Sequence, residues 1–235
     1  LRWGEISVNT VWHSTKDQIK EHPQFGENAN HFLTELGWRE FSYSLLYHFP
    51  SLPTENLNPR FGKFPWVKDQ VGLKAWKSGR TGVPIVDAGM RQLWKTGYMH
   101  NRLRMIVGSF LVKNLRIHWH DGQAWFWDTL FDADLANNSS GWQWIAGCGA
   151  DAAPYFRIFN PVTQGLKFDP DGSFIRQFVP ELEHVPTKYI FAPWNAPHDI
   201  LARSGVVLGE TYPKPIVDLK ISREKALEAF ATLKA

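Results

Sequence analysis

Three features of the sequence predict an all-α fold for this chain of 235 residues. Several segments repeat apolar residues at intervals of three and four, which is the spacing of one face of an α-helix. No alternation of apolar and polar residues, the pattern of a half-buried strand, continues for more than about four residues. Clusters of Pro, Gly and Asn separate the helical segments. Because the chain shows no internal repeat and no low-complexity tract, we expect residues 1–235 to form a single helical domain.

The bulk composition is that of a globular protein. Hydrophobic residues make up 43% of the chain, and no segment approaches the ~18 apolar residues that a membrane span needs. The single cysteine, Cys148, excludes an intrachain disulfide, and no apolar signal core opens the chain. We therefore expect a reducing, cytoplasmic or otherwise intracellular location. The net charge of +3 permits contact with nucleic acid but does not indicate it.

Two helices are predicted before residue 50. Apolar residues at helical spacing predict the first from Trp3 to Ile19 and the second from Asn30 to Phe49. Glu35, Trp38 and Arg39 form a separate stripe along the second helix. That stripe is either an exposed, salt-bridged face or the wall of a cleft, and the spacing alone favours the exposed face.

A proline-rich loop, a helical turn and three helices are predicted between residues 50 and 131. The helical segments are Leu73 to Ser78, Ile85 to Gly97, His100 to Ile117 and Ala124 to Phe131. The segment from His100 is the clearest amphipathic helix, with basic residues, Lys113 among them, flanking its apolar face. It is either a core helix with solvated bases or a helix whose N-terminal end faces a pocket. In the second case Asn101, Arg104 and Met105 lie at that pocket.

Two further helices are predicted nearer the C-terminus. A short one spans Phe174 to Phe178, and a final one spans Arg223 to Leu233 with Ser222 as its cap. Four prolines make residues 180–197 irregular.

The segment from Phe131 to Pro161 has the most unusual composition in the chain. Asp132 and Asp134 lie close to helix-breaking residues, which places them at a helix end or a tight turn. Trp142 and Trp144 follow beside small residues, which let a flat ligand or another backbone come close. This composition predicts an aromatic-lined polar pocket.

The chain contains 12 tryptophans, an unusually large number. Most are expected to pack in the core, and the others to stack on bases or a cofactor or to transfer electrons. Neither a Gly-rich phosphate loop nor a nucleophile elbow is present, and the spacing of His118 and His120 is not that of a metal site. The pair Asp132 and Asp134 is only a weak cation signal, so we expect no metal and no hydrolytic reaction.

Several long motifs resemble those of the photolyase and cryptochrome family, and they occur in the family's order. They are WREF from Trp38, TGVPIVDAGMRQL from Thr81, YMHNRLRM from Tyr98, DADLANN from Asp132, GWQW from Gly141 and DAAPYFRIFNP from Asp151. The resemblance covers about residues 1–200 and is closest to the photolyases that act on cyclobutane pyrimidine dimers. It implies an all-helical domain that holds FAD in a bent, U-shaped form.

The resemblance implies two groups of residues that serve the cofactor. The FAD-binding residues are Asp132, Asp134, Asn138, Arg104, Arg39 and Phe32, with Asn138 facing the flavin N5. The electron-transfer residues are Trp142, Trp119 and Trp66, which match three tryptophans that pass an electron inward to photoexcited flavin. Core packing is the alternative role of any one of these tryptophans, but the joint match favours electron transfer.

The resemblance also implies a site for damaged DNA. The lesion contacts are Glu35, Trp38, Asn101, Met105, Trp144 and Gln164, and the phosphate contacts are Arg102 and Arg157, for which a plain surface role is the alternative. A flipped dimer needs flat apolar walls and a few polar groups at its edges, which the two tryptophans and Glu35 with Asn101 supply. NRLRM lacks the paired histidines of photolyases specific for the six-four photoproduct, which favours the cyclobutane dimer.

The sequence departs from the family pattern at its start. The family has an N-terminal α/β antenna domain, followed by a Thr-Ser-x-Leu-Ser-Pro loop that holds the FAD phosphates. This sequence starts at Leu1, after the position of that loop. We therefore expect an N-terminally truncated FAD-binding domain without a site for an antenna pigment.

The function implied by the resemblance is light-dependent DNA repair. Reduced FAD donates an electron that splits cyclobutane pyrimidine dimers in flipped-out lesions. The implied partner is DNA containing such dimers, with no membrane and no protein partner, and the protein is expected to be a monomer. Two alternatives remain: a cryptochrome-type blue-light photoreceptor, and a flavin-free domain that stacks on single-stranded nucleic acid.

Overall fold

The computed structural model describes residues 1–152 and 156–233, and its regular elements are helices. Twelve α-helices occur in these ranges: α1 Val8–Glu21, α2 Gly26–His48, α3 Gln70–Lys77, α4 Pro84–Thr96, α5 Asn101–Ser109, α6 Trp119–Thr129, α7 Leu135–Ala146, α8 Pro161–Phe168, α9 Ser173–Phe178, α10 Thr187–Ile190, α11 His198–Arg203 and α12 Leu219–Ala231. The β pairing found in the same ranges is one isolated bridge, between Leu208 and Tyr212. None of these helices combines the length and apolarity that crossing a membrane requires. The all-α prediction is confirmed.

The C-terminal helix begins earlier than predicted, because Asp218 rather than Ser222 caps it. The carboxylate of Asp218 accepts from two backbone N–H groups of the first turn of α12, both at 2.8 Å. A carboxylate at this position also opposes the positive end of the helix dipole. Ser222 is buried inside α12 instead, where its hydroxyl accepts from Asn114 Nδ2 at 2.8 Å.

The helix predicted from His100 to Ile117 is divided. After α5 the chain forms a π-helical turn, Phe110–Asn114, which holds one residue more than an α-turn. Lys113 in this turn is 1% exposed, and its Nζ donates to the backbone oxygen of Ala146 at 2.6 Å. Burial lowers the pKa of Lys113 well below its ordinary value. The expectation of a solvated base is therefore wrong for Lys113.

Asp87 fastens α4 to the C-terminal part of the chain. Its buried carboxylate accepts from the Thr81 N–H at 2.7 Å, the Thr81 hydroxyl at 2.6 Å, the Gly82 N–H at 3.0 Å and the Tyr212 hydroxyl at 2.7 Å. Burial raises the pKa of Asp87 despite these bonds, and it also raises the pKa of Tyr212. The four bonds hold α4, the turn before it and the segment around Tyr212 together.

Loss of the Tyr212 hydroxyl is expected to destabilise the fold. Tyr212→Phe keeps the ring but leaves the buried Asp87 with one donor fewer, and hydrogen bonds to charged groups contribute about 1.5–3 kcal/mol. We expect the free energy of unfolding, measured with urea, to fall by that amount. Tyr47→Phe is the matched control, because Tyr47 is 81% exposed. Equal unfolding midpoints for the two variants would contradict this role of Tyr212.

The two N-terminal helices leave a large apolar surface exposed. No residue of α1 is buried, and α2 buries only Leu33, Leu36 and Ser42. Packed on α7, α2 exposes large aromatic side chains, which are Phe32, Trp38, Phe41, Tyr43 and Tyr47, and Phe49 directly after the helix is exposed as well. Exposed apolar surfaces of this kind mark contacts with another molecule or another part of a protein.

Candidate active site

The N-terminus of α7 is tied to α2 through Asp134. This residue caps α7, and its Oδ1 accepts from the backbone N–H of Asn137 at 2.9 Å and from Asn137 Nδ2 at 2.7 Å. Its Oδ2 accepts from the hydroxyl of Tyr43 on α2 at 2.5 Å. Burial opposes the charge on Asp134, but the hydrogen bonds from Tyr43 and Asn137 outweigh burial and lower the pKa of the carboxyl. Asp134 lies at a helix end, as predicted, and is an anion at neutral pH.

Asp132, in the turn before α7, is paired with Arg104 of α5. Its two carboxylate oxygens lie 3.1 and 2.9 Å from Arg104 Nη2. The guanidinium is held in turn by its Nε, which donates to the backbone oxygen of Met99 at 2.7 Å. Between the two acids, the backbone oxygen of Ala133 accepts from Arg2. The N-terminal end of α5 therefore meets the turn before α7 through the pair of Arg104 and Asp132.

The side-chain amide of Asn138 leaves its oxygen, Oδ1, available as a hydrogen-bond acceptor. Its Nδ2 donates to the backbone oxygen of Gln123 on α6 at 3.0 Å, which fixes the orientation of the side chain. Gln123 also donates to the hydroxyl of Ser139 at 2.8 Å. Among the described residues no donor reaches Asn138 Oδ1, and the residue is half-buried. This oxygen is available to a donor on a bound molecule.

Trp142 is buried between α6 and the core. It is 4% exposed, and its ring centroid lies 4.9 Å from that of Phe126 and 6.1 Å from that of Trp76. Gly122 of α6 makes room for the indole, because a Cβ at that glycine would lie 2.1 Å from Trp142 Cη2. Within the described chain Trp142 Nε1 is buried without a hydrogen-bond partner. The indole is therefore held by packing alone.

Trp119 and Trp66 are connected through an imidazole. The ring of His118 stacks on Trp119 at 5.6 Å and meets Trp66 edge-on at 4.9 Å between centroids. Trp119 is fully buried and its Nε1 donates to Asn56 Oδ1 at 2.8 Å, whereas Trp66 is half-buried and donates to the Phe61 oxygen at 3.3 Å. Trp119 is the first residue of α6, one turn before Gly122, the glycine against which the ring of Trp142 packs.

His118 is a residue that the sequence did not single out for this position. Burial and the nearby His120 lower the pKa of His118 to about 4, so the imidazole is neutral at physiological pH. Its Nδ1 accepts from the backbone N–H of His120 at 3.2 Å and thereby caps α6. Tyr43, Arg2 and Gln123 were missed in the same way, since their partners lie far away in the chain.

The residues predicted on the substrate side lie at several separate places in the structure. Arg157 lies 5.3 Å above the ring of Trp144, and Arg102 lies 4.7 Å above the ring of Phe168. Glu35 and Trp38 lie on the exposed face of α2, where Glu35 is 3.8 Å from His31. No hydrogen bond, ion pair or ring contact of the described residues joins these two to either arginine. The remaining members, Asn101, Met105 and Gln164, line the surface near α5 and α8, and Gln164 Oε1 is buried without a partner.

The other predicted cofactor residues, Arg39 and Phe32, lie on α2. Arg39 lies 4.6 Å above the ring of Tyr43 and pairs with Glu40 at 2.6 Å, and Phe32 is 46% exposed. A flavin offers a flat ring with donors and acceptors on its edges and a charged tail. Two acids, a guanidinium, the open amide oxygen of Asn138 and exposed aromatic rings therefore fit such a group. No cluster of three potential metal ligands among His, Cys, Asp and Glu occurs in the described chain.

Comparison with known proteins gives the family. A family model described as the FAD binding domain of DNA photolyase matches residues 32–232. The chain belongs to the DNA photolyase and cryptochrome family. Among photolyases, the deoxyribodipyrimidine photo-lyase of Agrobacterium fabrum is 56% identical over 234 residues, which is 100% of this chain and 48% of that protein. Cryptochrome-2 of Arabidopsis thaliana is 46% identical over 236 residues, 98% of this chain and 39% of that protein.

Solved structures of the family have the same fold. A bacterial class III photolyase from Agrobacterium tumefaciens superposes with a TM-score of 0.94 at 55% identity, over 99% of this chain and 48% of that chain. A cryptochrome of Synechocystis sp. PCC6803 gives a TM-score of 0.90 at 36% identity, over 95% of this chain and 46% of that chain. The chain thus spans about half the length of these photolyase relatives. The predicted family and domain type are confirmed, and the roles of single residues remain predictions.

Proposed function

We propose that this chain supplies the FAD-binding and catalytic part of a light-dependent enzyme that repairs cyclobutane pyrimidine dimers in DNA. The observation that carries the proposal is the arrangement at the two ends of α7. Its N-terminus holds the anchored acids and the open amide of Asn138, and its C-terminal half carries Trp142 and Trp144. The 56% identity to a deoxyribodipyrimidine photo-lyase supports the same reading.

Residues at the N-terminus of α7, together with residues of α5 and α2, are proposed to hold FAD. Asp132, Asp134, Asn138, Arg104, Arg39 and Phe32 form this set. When bound and reduced, FAD supplies the photoexcited electron that splits the cyclobutane ring. Asn138 contributes an uncharged amide, anchored on α6, that accepts a hydrogen bond without supplying a strong acid. The lowered pKa of Asp134 keeps that carboxyl ionised, and Asp132 is paired with Arg104. Both carboxylates are proposed to accept hydrogen bonds from donors on the cofactor.

The tryptophans are proposed to carry an electron from the surface to the cofactor. Indoles are oxidisable side chains. Trp142 is buried, whereas Trp66 is only partly buried and reaches the surface. His118 fills the space between Trp66 and Trp119, so the rings form a continuous van der Waals path there. Because His118 is neutral at physiological pH, it adds no positive charge that would oppose oxidation of either indole.

The DNA side of the proposal rests on the exposed aromatic and basic residues near α7 and α2. Trp38 and Trp144 provide flat walls for a flipped dimer, whose extraction costs a few kcal/mol and less for a damaged pair. Glu35, Asn101, Met105 and Gln164 provide contacts along its edges. Arg102 and Arg157 lie over aromatic rings without a carboxylate partner among the described residues, which leaves both guanidinium groups available to phosphates. We further propose a monomer that works inside the cell.

Light-dependent repair tests the proposal directly. The protein is supplied with FAD, reduced chemically and mixed with an oligonucleotide that contains one thymine dimer. Intact thymines are expected to appear under blue or near-ultraviolet light and not in the dark. Bound, reduced flavin without any light-dependent loss of dimer would overturn the proposal. A protein that binds no flavin but binds single-stranded DNA would instead support the flavin-free alternative.

A blue-light photoreceptor is the second candidate, because cryptochromes are among the relatives at 46% identity. Lesion binding separates the two functions. A photolyase is expected to bind dimer-containing DNA more tightly than the same sequence undamaged. Equal affinities, together with a light-dependent change in the flavin spectrum, would favour the photoreceptor.

Arg102 is expected to contribute to DNA affinity without contributing to lesion recognition. Arg102→Gln removes one positive charge, so binding to damaged and undamaged DNA should weaken equally. The slope of log K against log salt concentration should fall by about one. Arg203→Gln is the control, because Arg203 is exposed and lies 3.6 Å from Asp199 on its own helix. A loss limited to damaged DNA would contradict a phosphate contact.

A further inference from the structure

A cavity of about 490 Å³ lies between α3, α4 and α6, apart from the residues assigned to flavin and DNA. Its lining includes Lys74, Lys77, Ser78, Trp94 and Trp125. The volume is within the range of about 300–1,000 Å³ that is usual for small-molecule sites. None of the residues proposed above for the cofactor, the electron path or the lesion belongs to this lining.

Two indoles form a parallel stack at this cavity. The ring centroids of Trp94 and Trp125 are 5.6 Å apart with an angle of 6° between the ring planes. Trp94 is 71% exposed, so an indole face remains open to a further flat ring. Trp125 Nε1 is buried and has no partner among the described residues, although buried indole N–H groups usually find one. The stack therefore offers both a flat platform and an unused donor.

The charges around the stack are positive. Lys77 Nζ lies 5.0 Å from the ring centroid of Trp125, and no carboxylate of the described chain pairs with Lys74 or Lys77. Arg91, in the wall, is already engaged: its Nε donates to the Gly79 oxygen at 2.9 Å and its Nη1 pairs with Glu181 at 2.7 Å. The two lysines are consequently the unpaired positive charges at the cavity, whereas the guanidinium of Arg91 is held in place by its own partners.

We propose that this cavity binds a small planar aromatic anion of the mononucleotide class. The aromatic ring stacks on Trp94, and the phosphate lies between the ammonium groups of Lys74 and Lys77. An inorganic anion alone makes no use of the indole stack, and an uncharged ring makes no use of the lysines. The combination of both features in one cavity selects a ligand that carries both groups. The site functions independently of flavin.

Calorimetric titration with adenosine 5′-monophosphate tests the site, with adenosine and inorganic phosphate as separate ligands. We expect the nucleotide to bind more tightly than either fragment. Trp94→Ala should weaken nucleotide binding about tenfold, since stacking on an aromatic side chain contributes about 1–3 kcal/mol per base. Lys74→Gln with Lys77→Gln should weaken the nucleotide but not adenosine. Trp127→Ala, at an exposed tryptophan of α6 outside the cavity, is the matched control and should change nothing.

Two further arms separate this cavity from the other sites. The titration is repeated with Arg104→Gln, a change at the residues proposed for flavin, and loss of nucleotide binding in that variant would place the nucleotide at the flavin site and overturn the proposal. A single-stranded oligonucleotide is titrated as well, and binding of the oligonucleotide without the mononucleotide would overturn it in favour of a nucleic-acid contact. Equal nucleotide affinity in Trp94→Ala and the unsubstituted protein would also overturn it. Circular dichroism melting of each variant checks that the fold is retained.

Discussion

Trp142→Phe is expected to abolish photoreduction of oxidised flavin, so that illumination with an external reductant leaves the oxidised absorption bands at the level of the dark sample. Phenylalanine keeps an aromatic ring beside Phe126 and Trp76 but is far harder to oxidise than an indole. Removing the indole N–H leaves no new unsatisfied group, since Trp142 Nε1 is buried and unpartnered in the described chain. The measurement is the flavin absorbance during illumination.

Two comparisons make the Trp142 result specific. Trp127→Phe changes an indole of α6 that is 45% exposed and should photoreduce like the unsubstituted protein. Trp142→Phe that has been reduced chemically should keep most of its repair activity, because the electron path is then not needed. Equal loss of repair after chemical reduction would make Trp142 a structural or substrate-binding residue.

Gly122→Ala is expected to disrupt the same region through packing. The added Cβ would lie 2.1, 2.4 and 2.6 Å from three ring atoms of Trp142, closer than side chains approach one another. Overpacking of a core typically costs about 1–3 kcal/mol and at times more. For a chain of this length that corresponds to a fall in melting temperature of roughly 2–4 °C per kcal/mol. Displacement of the indole should also slow photoreduction, and both effects can be followed on one sample.

Two further variants test the Gly122 prediction: a control glycine in α7, and a double variant that should recover stability. Gly141→Ala, one residue before Trp142, adds a Cβ that meets no atom within 4 Å, so the fold should keep its stability or gain up to about 1 kcal/mol of helix propensity. Combining Gly122→Ala with Trp142→Phe shortens the opposing ring and should recover part of the lost stability, which a double-mutant cycle measures. Additive losses in the double variant would show that Gly122 and Trp142 do not contact each other.

The two helix caps show how much of the structure local sequence patterns can predict. The neighbours of Asp134 alone predict that it lies at a helix end, and its carboxylate caps α7 by accepting from the backbone N–H of Asn137. The same reasoning chose Ser222 for α12, because a serine before a helical run is a good cap. Asp218, four residues earlier, satisfies two amides instead. Local rules find the kind of cap, and competition between nearby candidates decides which one is used.

Lys113 shows where such patterns fail. A helical wheel places it beside the basic residues that flank an apolar face, and a solvated position follows. The π-helical turn changes the register at that point, and the lysine enters the core against the Ala146 oxygen. A register change of one residue has no signature in the spacing of apolar residues here, because every residue from Ile106 to Leu115 is buried.

The sequence by itself determined the all-α class, the family and the segments that carry the site, because helical periodicity, caps and long motifs are properties of neighbouring residues. Only the tertiary structure decided that Tyr43 binds Asp134, 91 positions away, and that His118 lies between Trp66 and Trp119. It likewise decided that Lys74, Lys77 and the paired indoles meet around one cavity. Such contacts join residues from separate helices, and their positions depend on how the helices pack and not on the order of residues within any one of them.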